Sequence, residues 1–214
     1  MTKTQRLRMT VDITMTILSI ILMGGNYLFP ADIVHEILGV GLFVLWGVHI
    51  ILNRRWYGAI FRGKYNPYRV MQTVINCCIL ICTIFLMISG IILSNHIFTF
   101  LNIQGGLGFA RIAHLLASHW YYLFMSLHIG LHVGRLFQNV TAKIIPRIIL
   151  ALVCAYGIYA FIARGVWKYL ILRQQFFFFD LERGHVLFAL DYISIIILFA
   201  TISHLIASRL KKNR

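Results

Sequence analysis

The sequence lacks the short motifs that accompany many soluble chemistries. It contains no G-x-S-x-G nucleophile elbow, no Walker phosphate loop and no dinucleotide-binding G-x-G-x-x-G segment. It also has no C-x-x-C-H motif, which excludes covalent attachment of a c-type haem. The 4 cysteines all lie within apolar stretches, where a thiol behaves as a small apolar side chain, so no disulfide framework is predicted.

Acidic residues are scarce, and the loops between apolar stretches are short. The chain has 6 Asp and Glu against 20 Lys and Arg, a net charge of +14. Its basic residues form short clusters between apolar segments instead of one continuous basic face, so we expect no nucleic-acid partner. None of the loops is long enough for a separate soluble domain.

Apolar residues dominate the composition of the chain. They make up 60% of the 214 residues, and the mean hydropathy is +0.81. Apolar runs of about 20 residues, enough to cross a bilayer, recur along the chain. A spanning segment must satisfy its backbone internally, so we predict an all-α integral membrane protein in contact with lipid. The six predicted spans are residues 9–28, 32–52, 70–93, 112–137, 144–163 and 186–207.

The distribution of basic residues predicts the orientation. If the N-terminus is cytoplasmic, fifteen of the 20 Lys and Arg residues lie on the cytoplasmic side. The other side then holds only Arg111, Arg164, Lys168, Arg173 and Arg183. By the positive-inside rule, both termini are expected to face the cytoplasm.

Histidines recur with equal spacing on two of the predicted spans. His35 and His49 lie on the second span, and His114 and His128 lie on the fourth, so each pair is fourteen residues apart. On a helix this spacing returns to within about 40° of the same face, after a rise of about 21 Å. The two spans run in the same direction. His35 is therefore expected at the depth of His114, and His49 at the depth of His128.

Two facing imidazoles at one depth can fill both axial positions of a haem iron. Polar side chains inside a bilayer are costly and are functional candidates for that reason. We therefore predict His35, His49, His114 and His128 as axial ligands of two haems. Arg111, three residues before His114, is a candidate partner of a haem propionate. Four further histidines are predicted not to be haem ligands: His96, His119, His185 and His204.

His132 is the closest rival to His128. It lies eighteen residues beyond His114 and so shares its helix face, but the rise of about 27 Å does not match the spacing of the other pair. We therefore predict a propionate contact, a place in a quinone pocket or a supporting role for His132. Glycines near these histidines fit either close approach of a macrocycle or close helix packing: Gly24, Gly25, Gly39, Gly90, Gly130 and Gly134.

The segment ARIAHLLASHWYYLFMSLHIGLHVGR, with its histidine spacing, resembles di-haem cytochromes b, including the membrane subunits of nickel-iron hydrogenases and formate dehydrogenases. It most closely resembles the bacterial domain of unknown function 4405 family, over Met9 to Val140. The resemblance implies a haem-binding four-helix bundle in residues 1–140. It leaves residues 141–214, with two further spans, unexplained.

The same resemblance implies a function. The chain would carry two b-type haems in a bacterial inner membrane and pass electrons between a quinone pool and a redox partner protein. It would be an electron-transfer subunit of an oxidoreductase and not a complete enzyme.

Two other classes of function are open. One is a transporter in which His128 and His132, with Glu36 or Asp12, bind a divalent metal or relay protons. The other is a structural anchor of a larger complex, in which the histidines have no cofactor.

Overall fold

The computed structural model describes residues 2–29, 31–179 and 184–212, without the side chains of Asn26 and Arg135. Arg183, which the predicted orientation counts as external, lies outside these residues. Within the described part of the chain the protein is all-helical, with no strand. Its helices are α1 Lys3–Leu22, α2 Ile33–Leu52, α3 Arg54–Ala59, α4 Pro67–Leu93, α5 Leu107–His132, α6 Gly134–Ala142, α7 Ile144–Ala163, α8 Val166–Leu170 and α9 Gly184–Lys212.

Four of the described helices are long and apolar enough to cross a membrane: α2, α4, α7 and α9. They coincide with four of the six predicted spans, which confirms a multi-pass membrane protein by length and composition. The other two predicted spans are also long helices, α1 and α5. These two are less apolar, because α1 begins with a basic, polar turn and α5 carries an arginine and four histidines.

The ends of α1 and α5 differ from the predicted bounds. α1 begins six residues early because Thr2 and Gln5 form a capping box, in which each side chain accepts a backbone N–H of the other residue. It ends before Gly25, whose φ of 58° favours glycine. α5 ends at His132 because Val133 leaves the helical region, at φ −89° and ψ 20°, and a separate helix follows.

The residue contacts divide the chain into two units. Unit 1 comprises Met1–Lys64 and Leu86–His114, and within it α1 packs against α2. Unit 2 comprises Tyr65–Phe85 and Leu115–Arg214, and within it α7 packs against α9. The predicted division of function at residue 140 stays a prediction.

The core of unit 2 is built around α9. Ten residues of this helix are buried, among them Asp191, Tyr192 and Ile195. α2 in unit 1 is different, since it has no buried residue.

Candidate functional site

Two of the predicted ligands lie close to each other in unit 1. His35 is in the first turn of α2, and His114 is in the third turn of α5. Their ring centroids are 6.3 Å apart, and the ring planes are inclined by 61°. The structure therefore brings these two imidazoles together from residues 79 positions apart in the sequence.

This spacing can be compared with the one that a shared metal ion requires. A metal–imidazole bond is about 2.0 Å long, judged from zinc sites, and a ring nitrogen lies roughly 1.1 Å from the ring centre for bonds of about 1.35 Å. Two axial imidazoles on one ion should thus have ring centres about 6 Å apart. The centroid separation of His35 and His114 is therefore the one expected for two imidazoles that share a metal ion.

The hydrogen bonds of His114 favour the tautomer that can bind a metal. The Ser89 hydroxyl donates to the Leu86 carbonyl, at 3.3 Å, so its oxygen accepts from Nδ1–H of His114, at 3.0 Å. With Nδ1 protonated, Nε2 of a neutral imidazole keeps its lone pair. A histidine that binds a metal through one nitrogen usually donates from the other in this way.

The surroundings of the pair include a buried nitrogen and two glycines. Nδ1 of His35 is buried and makes no hydrogen bond of good geometry among the described residues. A Cβ added at Gly90 would lie 3.8 Å from Cε1 of His114, so the ring lies beside bare backbone. A Cβ added at Gly39, one turn after His35, would meet nothing within 4 Å.

His49, the third predicted ligand, is also in unit 1. Its Nδ1 lies 2.8 Å from Oδ1 of Asp12 on α1. Asn53 lies 3.4 Å from its Nε2 and also donates to its carbonyl. Because the carboxylate only accepts, Nδ1 of His49 carries the hydrogen and Nε2 is the nitrogen with the lone pair.

His128, the fourth predicted ligand, lies in unit 2, and its Nδ1 also contacts a side-chain oxygen of a neighbouring helix. Its Nδ1 lies 2.7 Å from the side-chain oxygen of Asn76 on α4. Its ring centroid is 4.6 Å from that of His132, the exposed last residue of α5. His49 and His128 belong to different units, and their pairing stays a prediction.

Arg111 and the other histidines lie as follows. Arg111 is exposed on α5, nearly one turn before His114. His119 is buried in unit 2, bonds through Nδ1 to the Leu115 carbonyl at 2.8 Å and stacks on Tyr169 at 4.2 Å. His204 stacks on Phe137, His185 contacts Phe179, and His96 is an exposed loop residue. In none of these four does a second imidazole face the ring in the described structure.

Glu36 has a structural role that the sequence analysis missed. Its carboxylate accepts hydrogen bonds from four groups between 2.6 and 3.2 Å away: the Ser94 hydroxyl and the backbone N–H groups of Asn95, His96 and Ile97. The carboxylate thus holds the loop after α4 against α2. A lone acid at the start of an apolar helix was the available signal.

A buried polar cluster in unit 2 was also missed. Asp191 on α9 is fully buried, and its carboxylate accepts from Nε of Arg164 at 2.7 Å and from the Tyr156 hydroxyl at 2.5 Å. The signal was an isolated aspartate within an apolar span. Such a charge is expected to be paired, but the sequence does not identify its partner.

The glycines near the histidines differ in which of the two interpretations they fit, close helix packing or close approach of a macrocycle. A Cβ on Gly130 would lie 2.2 Å from the Ala200 carbonyl oxygen, so this glycine allows α5 and α9 to pack closely. A Cβ on Gly134 would lie 3.4 Å from the ring of His204. Gly90 beside His114 remains a candidate for close approach of a macrocycle.

Within the described residues, no group of three or more His, Cys, Asp or Glu side chains is arranged to hold a metal ion. The paired imidazoles in unit 1 suit an ion whose other ligands come from a macrocycle. No protein-family model, no curated protein and no solved structure matches this chain. The resemblance to the domain of unknown function 4405 family and to di-haem cytochromes b therefore stays a prediction.

Proposed function

We propose that the protein is a b-type cytochrome that transfers electrons across a membrane. The observation that carries this proposal is the distance of 6.3 Å between the rings of His35 and His114, which suits two axial ligands of one haem iron. Bound haem iron would supply one-electron oxidation and reduction.

The residues of the chain would bind and orient the haem. His35 and His114 would provide its axial nitrogens. Ser89 would hold His114 in the required tautomer and orientation by accepting from Nδ1–H. Gly90 would let the edge of the macrocycle approach the backbone of α4, and Arg111 would pair with a propionate at the membrane surface.

A second haem, held by His49 and His128, completes the proposal. Both histidines donate from Nδ1, to Asp12 and to Asn76 respectively. This is the tautomer also inferred for His114. We assign the role of an axial ligand to His128, and a propionate or quinone contact to His132.

The proposed topology has six spans, with α1 and α5 completing the set of α2, α4, α7 and α9. Spans from residues 1–140 would form the haem-binding bundle, with both termini in the cytoplasm of a bacterial cell. Electrons would pass between a quinone pool and a redox partner protein. In this arrangement His35 and His114 lie near the external surface.

A proton relay is the second candidate function. It is favoured by the contact of 2.8 Å between His49 and Asp12, two titratable groups on adjacent helices. Glu36 is less suited to such a relay because its carboxylate is occupied by four donors of the loop at residues 94–97.

A reduced-minus-oxidised spectrum, with a pyridine haemochrome assay on the purified full chain, tests the main proposal. We expect low-spin b-type haem at two per chain. A colourless preparation from haem-replete cells would contradict the proposal. Proton transport by the colourless protein in vesicles would then support the relay.

A further inference from the structure

A cavity of about 230 Å³ lies in unit 2 where α7 ends. The side chains with polar groups that line it are Arg164, Lys168, Tyr169, Gln174 and Tyr192. Phenylalanines from the segment before residue 180 and from α9 form the apolar walls. The cavity therefore combines an apolar interior with several hydrogen-bond donors at the end of a helix that can span a membrane.

The guanidinium of Arg164 is only partly satisfied by the protein. Its Nε donates to Asp191, and the two side chains are 7% and 0% exposed. Its Nη2 is buried and has no hydrogen-bond partner among the described residues. A buried donor without an acceptor costs free energy, and Arg164 lies in the wall of the cavity.

Tyr169 provides a second donor. Its hydroxyl oxygen accepts from Nε2 of Gln174, at 2.8 Å, and from the backbone N–H of Phe178, at 3.3 Å. Both bonds use the oxygen as an acceptor, so its own hydrogen can be donated to a ligand. Burial raises the pKa of the Tyr169 phenol, which keeps that hydrogen in place at neutral pH.

The charge around the cavity points to an anion. Lys168 is exposed at the cavity, and its ammonium lies 5.9 Å from the Trp167 ring. The Arg173 guanidinium lies over the same ring, at 5.6 Å. In the predicted topology this is the external side, and Arg164, Lys168 and Arg173 are three of its five basic residues. Arg164 is balanced by Asp191. The positive-inside rule does not favour the other two cations, Lys168 and Arg173, on this side, so their proximity needs another explanation.

We propose that this cavity binds the phosphate of an anionic phospholipid, with Lys168 and Tyr169 as its principal contacts. An amphiphile fits better than a free anion because the phenylalanine walls can cover glycerol and acyl carbons while the donors contact the phosphate. The position at the end of α7 suits the headgroup region, where basic and aromatic side chains meet lipid. This inference does not depend on haem binding.

Native mass spectrometry of the purified full chain in neutral detergent provides the test. The protein is incubated with equal amounts of phosphatidylglycerol and phosphatidylcholine, and the bound lipid is counted. We expect phosphatidylglycerol to be retained at least about fivefold over phosphatidylcholine, because one basic side chain near an anionic headgroup contributes about that factor. Lys168→Gln should lower the retention of phosphatidylglycerol about fivefold, and Lys143→Gln, at the other end of α7, is the matched control.

Tyr169→Phe gives a second variant, and circular dichroism verifies the helical content of each. Loss of retention in Lys168→Gln and Tyr169→Phe, but not in Lys143→Gln, supports the proposal. Equal retention of both lipids by the unmodified chain would overturn it, as would equal losses in the two lysine variants. If inorganic phosphate stabilises the lipid-free protein against heat as strongly as phosphatidylglycerol does, the ligand is the free anion and the lipid assignment is wrong.

Discussion

The two units of this chain satisfy their buried polar groups in different ways. In unit 2, Asp191 is enclosed by Arg164 and Tyr156, and the Tyr122 hydroxyl donates to the Tyr192 carbonyl. In unit 1, the rings of His35 and His114 lie 6.3 Å apart, and Nδ1 of His35 makes no hydrogen bond of good geometry among the described residues, although the ring interacts with the Gly25 backbone. Buried polar atoms without a partner among the described residues occur in unit 2 as well, at Nε2 of His119, Nη2 of Arg164 and Oγ of Ser203. The units therefore differ in the kind of polar group that they bury, and not in how completely they pair such groups.

The burial of the long helices also differs between the two units. In the apolar 18-residue stretch of α9, half of the residues are buried, whereas none of the residues in the corresponding stretch of α2 is buried. The side chains of α9 are therefore enclosed by other parts of unit 2 to a much greater extent than those of α2 are enclosed within unit 1.

The largest expected effect is the loss of one haem from unit 1. His114→Ala and His35→Ala should each lower the haem content from two per chain to one, since each removes an axial ligand of the same iron. The pyridine haemochrome assay measures this directly. His119→Ala is the matched control on the same helix and should keep both haems. Two haems per chain in His114→Ala would contradict the assignment of His35 and His114 as a ligand pair.

The next effect concerns the buried charge of unit 2. Asp191→Ala should destabilise the protein by about 3–5 kcal/mol, because the Arg164 guanidinium would stay buried without its counterion. Asp12→Asn in unit 1 changes a contact of the same kind, but Asp12 is 53% exposed, so the expected cost is below about 1 kcal/mol. Thermal unfolding in detergent compares the two. Similar losses of stability in Asp191→Ala and Asp12→Asn would mean that burial of the ion pair does not distinguish the two units.

Glycine substitutions test the packing difference more finely. Gly130→Ala should cost about 1–3 kcal/mol through overpacking, because the new Cβ would overlap the Ala200 carbonyl oxygen. Gly41→Ala in α2 meets nothing within 4 Å and should be neutral or slightly stabilising through helix propensity. The same unfolding assay applies. A loss in Gly41→Ala as large as that in Gly130→Ala would show that α2 is packed as closely as α9.

The smallest effect is expected from the hydrogen bond behind His114. Ser89→Ala should leave both haems bound but weaken haem binding in unit 1 about tenfold, since His114 loses the group that orients it. Transfer of haem to an excess of an apo-haem acceptor protein measures the rate of loss. Ser118→Ala, next to His119, is the control and should release haem at the unmodified rate. An unchanged rate in Ser89→Ala would leave Ser89 without a role in the site.

Most helices were predictable from the sequence, and their ends less so. Hydrophobic length alone located α7 at residues 144–163, the bounds that the structure has. The break at Val133 was missed because the apolar pattern continues across it. The equal spacing of the histidines singled out His35 and His114 together. Ser89, the partner of His114, and Asn76, the partner of His128, could not be assigned, because a single small polar residue in an apolar span has no pattern of its own.

The sequence by itself determined that the chain is helical and membrane-embedded, because backbone groups in hydrocarbon must be satisfied within each apolar segment. It also determined which histidines share a helix face, since helical geometry relates spacing to direction. Only the tertiary structure decided that the rings of His35 and His114 meet at 6.3 Å and that Asp191 pairs with Arg164. Such contacts join residues far apart in the chain, and their distances depend on how helices pack, which no local pattern specifies.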